Sequence, residues 1–144
     1  MDSSSNTTSF ATLTGTYPGV KLASGLSINT DTLICSGGSH ASIVLDVLFR
    51  NLDASNARNF DIIICPTSSN ATDYYNRAQI GVPANAGNNG TVTLASLAAL
   101  MPTLFDLDLA GNRVLTLESG VSIYVRNKAE LTADVYVMTK LRSF

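Results

Sequence analysis

The chain has 144 residues, with 14% charged residues, a net charge of −2 and a pI near 5.1. That length suits one domain, and the acidic balance excludes the basic footprint that phosphate neutralisation needs, so no nucleic acid partner is expected. With no Trp, one His and two Cys, the inventory for catalytic, metal or cofactor chemistry is thin, and the expectation is a protein that is not an enzyme and carries no cofactor.

Met1 to Ser9 is a Ser/Thr/Asn tract with neither the basic start nor the apolar run of a secretory signal. Phe10 and Leu13 are the only large apolar side chains between Met1 and Thr16. Residues 1–16 therefore read as a flexible arm that cannot offset its own ordering entropy, and 17–144 as a single domain. Tyr17-Pro18-Gly19 reads as the turn that opens the domain.

Short β-type runs follow. Leu26 to Cys35 is expected as a strand with Leu26, Ile28 and Thr30 on one side, closed by Ser36-Gly37-Gly38-Ser39. Ala41 to Leu52 alternates so that Ile43, Leu45, Val47 and Phe49 share one face and Val44, Asp46, Leu48 and Arg50 the other. After the polar loop Asp53 to Asn59, the continuous apolar run Phe60 to Cys65 predicts a strand buried on both faces, stopped by Pro66. Thr67 to Asn76 is a polar excursion, and Arg77 to Val82 is a strand ended by Pro83.

Pro83 to Gly90 must be a loop, since Asn85, Gly87, Asn88, Asn89 and Gly90 tolerate positive φ. Thr91 to Leu94 reads as a brief strand and Ala95 to Met101 as one short helix before Pro102. A meander completes the chain: strands Phe105 to Leu109, Arg113 to Leu117, Val121 to Asn127 and Ala133 to Leu141, with turns at Ala110-Gly111-Asn112 and Glu118-Ser119-Gly120. About seven to nine short strands with one short helix predict an all-β antiparallel sandwich or jelly roll. The apolar stretches Ile62 to Cys65 and Leu94 to Phe105 fall short of the roughly 18 residues of a membrane span, so no membrane is expected.

Individual motifs carry little chemistry. Asp106-x-Asp108 followed by Gly111 begins like a calcium loop, but Ala110 and Leu117 stand where ligands are needed, so a strand-turn-strand corner with solvated Asp106 and Asp108 is the better reading. His40 lacks a nucleophile elbow nearby. Gly87 to Thr91 lacks the Lys of a phosphate loop and reads as a turn. Cys35 and Cys65 both end apolar runs and read as reduced, buried thiols. The Asn-x-Thr sequons at Asn6, Asn70 and Asn89 carry no weight without an export signal. Aromatics and Arg are over-used at protein interfaces, which singles out Tyr17, Tyr74, Tyr75 and Arg77, although packing within the loop is the better reading of the Tyr74-Tyr75 pair and Arg77, and also Tyr124 and Tyr136 opposite the apolar stripes. Phe10 and Leu13 in the arm complete that candidate set.

Three stretches, Ser96-Leu-Ala-Ala-Leu-Met-Pro-Thr-Leu-Phe105, Asp108-Leu-Ala-Gly-Asn-Arg-Val-Leu115 and Leu117-Glu-Ser-Gly-Val-Ser-Ile-Tyr-Val-Arg-Asn-Lys128, resemble small virion proteins of tailed bacteriophages. The likeness spans residues 26–141 loosely and 94–128 more closely. It implies a β-sandwich cement or decoration protein on the outer capsid surface of a virion, commonly a homotrimer, bracing capsomers of the major capsid protein. It supplies no catalytic motif and no interface residues. The competing readings are a collar, tail or fibre-associated subunit and a glycan- or surface-binding sandwich.

Overall fold

A computed structural model describes residues 18–37, 41–66 and 75–143. Alternating apolar residues between Gly- and Asn-rich turns produce ten strands among them: β1 (Gly19–Leu22), β2 (Asp31–Ser36), β3 (Ser42–Asn51), β4 (Arg58–Pro66), β5 (Asn76–Val82), β6 (Ala95–Ser96), β7 (Asp106–Leu107), β8 (Arg113–Leu117), β9 (Val121–Asn127) and β10 (Val135–Ser143). One short helix, α1 (Leu97–Leu100), and a 3-10 turn at Pro102–Leu104 lie between β6 and β7.

The topology is that of one long antiparallel hairpin rolled up. β4 pairs with β5 at its closed end, then β3 with β8, β2 with β9 and β1 with β10. Rolling places these pairs alternately in two sheets, ordered β2-β9-β4-β5 and β1-β10-β3-β8-β7, with β6 added to the side of β3. This is the strand order of a jelly roll, an all-β sandwich as the patterning predicts. The core between the sheets holds Val44, Val47, Phe49, Phe60, Ile62, Val82, Ile123, Val125, Val135 and Val137. Phe49 from one sheet meets Phe60 from the other at 5.5 Å between ring centroids.

Most strands fall where the sequence puts them, and the Pro83 to Gly90 loop carries positive φ at Asn85, Gly87 and Gly90. Several details differ. Gly19–Leu22 is a strand, and the carbonyl of Pro18 accepts from Thr139 N at 3.0 Å, so Pro18-Gly19 continues a ladder instead of turning. Residues 26–30 are not strand: Asn29 has φ +61, Leu26 packs on the core and Ile28 faces solvent. The Thr91 to Leu94 strand is replaced by the two-residue β6, the helix shortens to Leu97–Leu100, and the Phe105 to Leu109 strand shortens to Asp106–Leu107.

The alternation expected through β3 breaks in the middle. Lys140 pairs with Asp46 and Leu141 with Val44, which leaves Leu45 as the extra residue of a β-bulge. The side-chain phase slips by one at that point. Val44 therefore enters the core with Val47 and Phe49, whereas Ile43 and Leu45 face outward. A second bulge at Ile34 lets Ile34 and Cys35 both be buried. In β4, burial on both faces holds, with Phe60 and Ile62 in the core and Ile63 and Cys65 buried opposite.

Both cysteines are free and buried. Cys35 lies opposite Ile123 and Cys65 opposite Ser122, which are consecutive on β9, so the two thiols point to opposite faces of one sheet and cannot bond. Burial pushes the Cys35 thiol up to about 11, only partly offset by hydrogen bonds from Thr139 and the Ile123 backbone. After β3, the Asp53 carboxylate gathers Thr132 Oγ1 at 2.5 Å, Ser55 N at 2.9 Å, Asn56 N at 3.0 Å and Arg58 Nη2 at 3.1 Å. The Thr132 hydroxyl and these backbone donors hold its pKa well below the usual carboxylate range.

Candidate interaction surfaces

The two sheets present outer faces of different chemistry. Across the outer face of β2-β9-β4-β5, Asp31, Arg126, Asp61 and Gln79 form one cross-strand row. Arg126 grips Asp31 through Nε at 2.6 Å and Nη2 at 3.2 Å, while Asp61 takes Gln79 Nε2 at 3.0 Å and lies 3.4 Å from Lys128 Nζ. These charges satisfy one another. The neighbouring row runs Leu33, Tyr124, Ile63 and Asn76, with Leu33 46% exposed and Tyr124 half-buried.

The outer face of β1-β10-β3-β8 is different. Tyr136 lies opposite Arg50 and Met138 opposite Leu48, and the bulge at Leu45 adds Ile43 and Leu45 to the same side. A sheet face turned to water is expected to be polar, so this run of apolar side chains is anomalous. Two depressions sit on it. The larger, about 710 Å³, has a floor of Ile43, Leu45, Ala98 and Val114 and a rim carrying Arg113 and Arg142 together with Asp108. The smaller, about 290 Å³, is lined by Leu48, Arg50, Gly87, Leu94, Tyr136 and Met138.

Local chemistry explains the gap that forms the larger groove. β8 pairs with β3 only at Ser42–Val44, and β6 pairs with it only at Leu48 and Phe49, so among the described residues the side of β3 between them has no strand partner. Asp46 fills that notch. Its carboxylate accepts from Val47 N at 2.8 Å, Ala98 N at 3.0 Å and Ser96 Oγ at 2.5 Å, while Ser96 Oγ in turn caps α1 through Ala99 N at 3.2 Å. One side chain thus satisfies the open edge and fixes α1 as a wall of the groove.

Charge is also unevenly placed. Lys21, Arg58, Arg126 and Lys128 have carboxylate partners, whereas among the described residues Arg50, Arg77, Arg113, Lys140 and Arg142 have none. All but Arg77 border the apolar outer face of the larger sheet. Arg50 stacks over Tyr136 with its guanidinium carbon 5.9 Å from the ring centroid, and it donates to Asn88 Oδ1 at 3.0 Å.

The residues singled out from sequence separate into distant groups. Tyr75 and Arg77 come together at the start of β5, with the Arg77 guanidinium 5.9 Å from the Tyr75 ring, and the row through Tyr124 ends beside them at Asn76. Tyr136 lies on the other sheet. Phe10, Leu13, Tyr17, Tyr74, the 1–16 arm and His40 lie outside the described residues. Leu48, Leu94, Met138, Arg113 and Arg142 were not singled out as candidates; Leu48, Met138 and Arg142 carried a signal as apolar and basic side chains at the solvent phase of β3 and β10, whereas Leu94, in the loop before β6, and Arg113, on β8, carried none.

Asp106 and Asp108 are exposed, as the corner reading expects. Asp108 Oδ1 accepts from Ala110 N at 2.9 Å and Asn112 N at 2.8 Å, which fixes the β7–β8 turn. Among the described residues no three His, Cys, Asp or Glu side chains gather as a metal site, and no helix is long and apolar enough to cross a membrane.

No protein-family model matches the chain, and no curated protein matches it. Among solved structures, a chain of the cyanophage Pam1 capsid asymmetric unit is similar at 15% identity and a TM-score of 0.44, covering 89% of this chain and 82% of that one. A likeness at that level carries no assignment of role.

Proposed function

We propose that the chain is a structural protein of a phage virion, a non-catalytic cement or decoration subunit that sits on the outside of the head and braces capsomers of the major capsid protein. Jelly rolls serve capsid and lectin domains alike, so the architecture does not choose between roles. The observation that carries the reading is the outer face of the larger sheet. Beside its larger groove stand Arg113, Lys140 and Arg142, cations without carboxylate partners among the described residues. Such a face suits a large partner surface that offers carboxylates around apolar side chains. The sequence resemblance over 94–128 supports the same role, since those residues build α1, the β7–β8 hairpin and the groove between them.

On a symmetric shell, modest contacts repeat and reinforce one another through effective concentration, and binding only the assembled lattice stabilises that lattice. The deciding experiment adds the purified full chain to heads of its own phage that lack it, and reads cosedimentation and survival on heating. Stoichiometric attachment, raised heat resistance and about tenfold or greater weakening by Arg113→Glu with Arg142→Glu are expected. Attachment at one vertex alone would make it a collar or tail subunit, and no attachment would overturn the virion role.

A further inference from the structure

The β7–β8 hairpin carries an unusual tip. Leu109 is fully exposed and Leu107 is 63% exposed, although the turn that presents them is tightly held. Gly111 takes φ +85, Gly111 N donates to Asp108 O at 2.9 Å, and Asp108 N donates to Asn112 O at 2.9 Å. Together with the two bonds to Asp108 Oδ1, these fix the tip before any partner arrives. A rigid apolar knob loses little entropy on docking, and two leucines held in water gain from being covered.

We propose that this knob seats in the smaller apolar pocket of a second copy of the chain. The pocket has the right size: an apolar cavity of about 150 Å³ takes a benzene-sized group, and this one offers about 290 Å³, enough for the Leu109 side chain with Leu107 at its mouth. Its depth depends on Gly87, because a Cβ there would displace Leu94 from the wall. The charges also match. Asp106 and Asp108 flank Leu107, and Arg50, which has no carboxylate partner among the described residues, lines the pocket.

Knob and pocket are different surfaces of the same chain, so the contact is head-to-tail, and it closes into a ring when the rotation per step divides a full turn. A small ring would present the larger groove of every copy in one orientation. The inference does not rest on attachment to a shell and is tested on the protein alone.

The test is analytical ultracentrifugation of the full chain over a dilution series, with three variants. The wild type forms a closed oligomer. Leu107→Ser with Leu109→Ser, and separately Met138→Glu, each weaken association, by about 30-fold for each buried leucine lost. Tyr136→Ala, at an exposed pocket position, serves as a second pocket variant should Met138→Glu fail to fold. Mixing the knob variant with a pocket variant gives 1:1 pairs, because one intact knob then meets one intact pocket. A wild type that stays monomeric throughout, a knob variant that associates like wild type, or a mixture that stays monomeric would overturn the proposal. In each of those cases the head-attachment experiment stands unaffected.

Discussion

Phe49 and Phe60 provide the sharpest test of how the two sheets are held together. Each is fully buried, one on β3 and one on β4, and their rings meet across the sandwich at 5.5 Å with a 31° tilt. A buried aromatic ring removes about 150–250 Å² from water, which at roughly 25 cal/mol per Å² is about 4–6 kcal/mol before relaxation. Truncating either to Ala should cost about 3–5 kcal/mol, a large share of the roughly 5–15 kcal/mol that holds a domain together. The measurement is equilibrium urea unfolding, with the midpoint falling while the denaturant slope stays constant. A double-mutant cycle with Phe49→Leu and Phe60→Leu, which keeps the fold populated, should return a coupling of about 0.5–1.5 kcal/mol. Single losses under about 1 kcal/mol, or additivity within about 0.3 kcal/mol, would refute the claim that this pair ties the sheets.

Two other perturbations probe separate features. Gly37→Ala should cost about 1–3 kcal/mol, because the added Cβ would overlap the Glu118 carbonyl oxygen and lie 3.0 Å from that of Leu117, both backbone atoms that cannot swing aside. An unchanged melting temperature would show that this turn is free to shift. Stability should also fall as pH rises from 9 towards 11, because the unfolded Cys35 thiol ionises near its ordinary value of 9.0 while the native one holds its proton to about 11. Urea midpoints of Cys35→Ala against wild type check this, the variant declining less steeply over that window; equal slopes would remove Cys35 as the cause.

The strands that the sequence reveals are those with unbroken alternation. β9 and β10 show Ile123, Val125, Val135, Val137 and Thr139 facing inward, as their spacing predicts. β3 was readable as a strand, but its inward face was not, because a single unpaired residue at Leu45 reverses the phase and no local propensity marks a bulge. β1 is only four residues long, begins with Gly19 and owes its existence to β10, more than 110 residues away. Surface chemistry was legible in part. Tyr136 stood out as an aromatic on an outward phase, whereas Leu94 and Gly87 reach the same pocket from a loop whose path depends on three positive-φ residues. Leu109 read as the end of a strand, because its exposure follows from where the Asp108 turn cuts that strand short.

The rolled hairpin also dictates an order of events during folding. Pairing β4 with β5 closes the shortest of its loops, whereas bringing Val20 opposite Val137 spans almost the whole domain. Loop-closure entropy makes the near pairing the cheap one, so zippering is expected to start at the closed end and run outward, with β1 docking last. A chain dominated by such distant pairings folds in milliseconds to seconds, not microseconds. Until β1 arrives, the outer side of β10 stays open, a free edge through which newly made copies can join strands and be lost to aggregation.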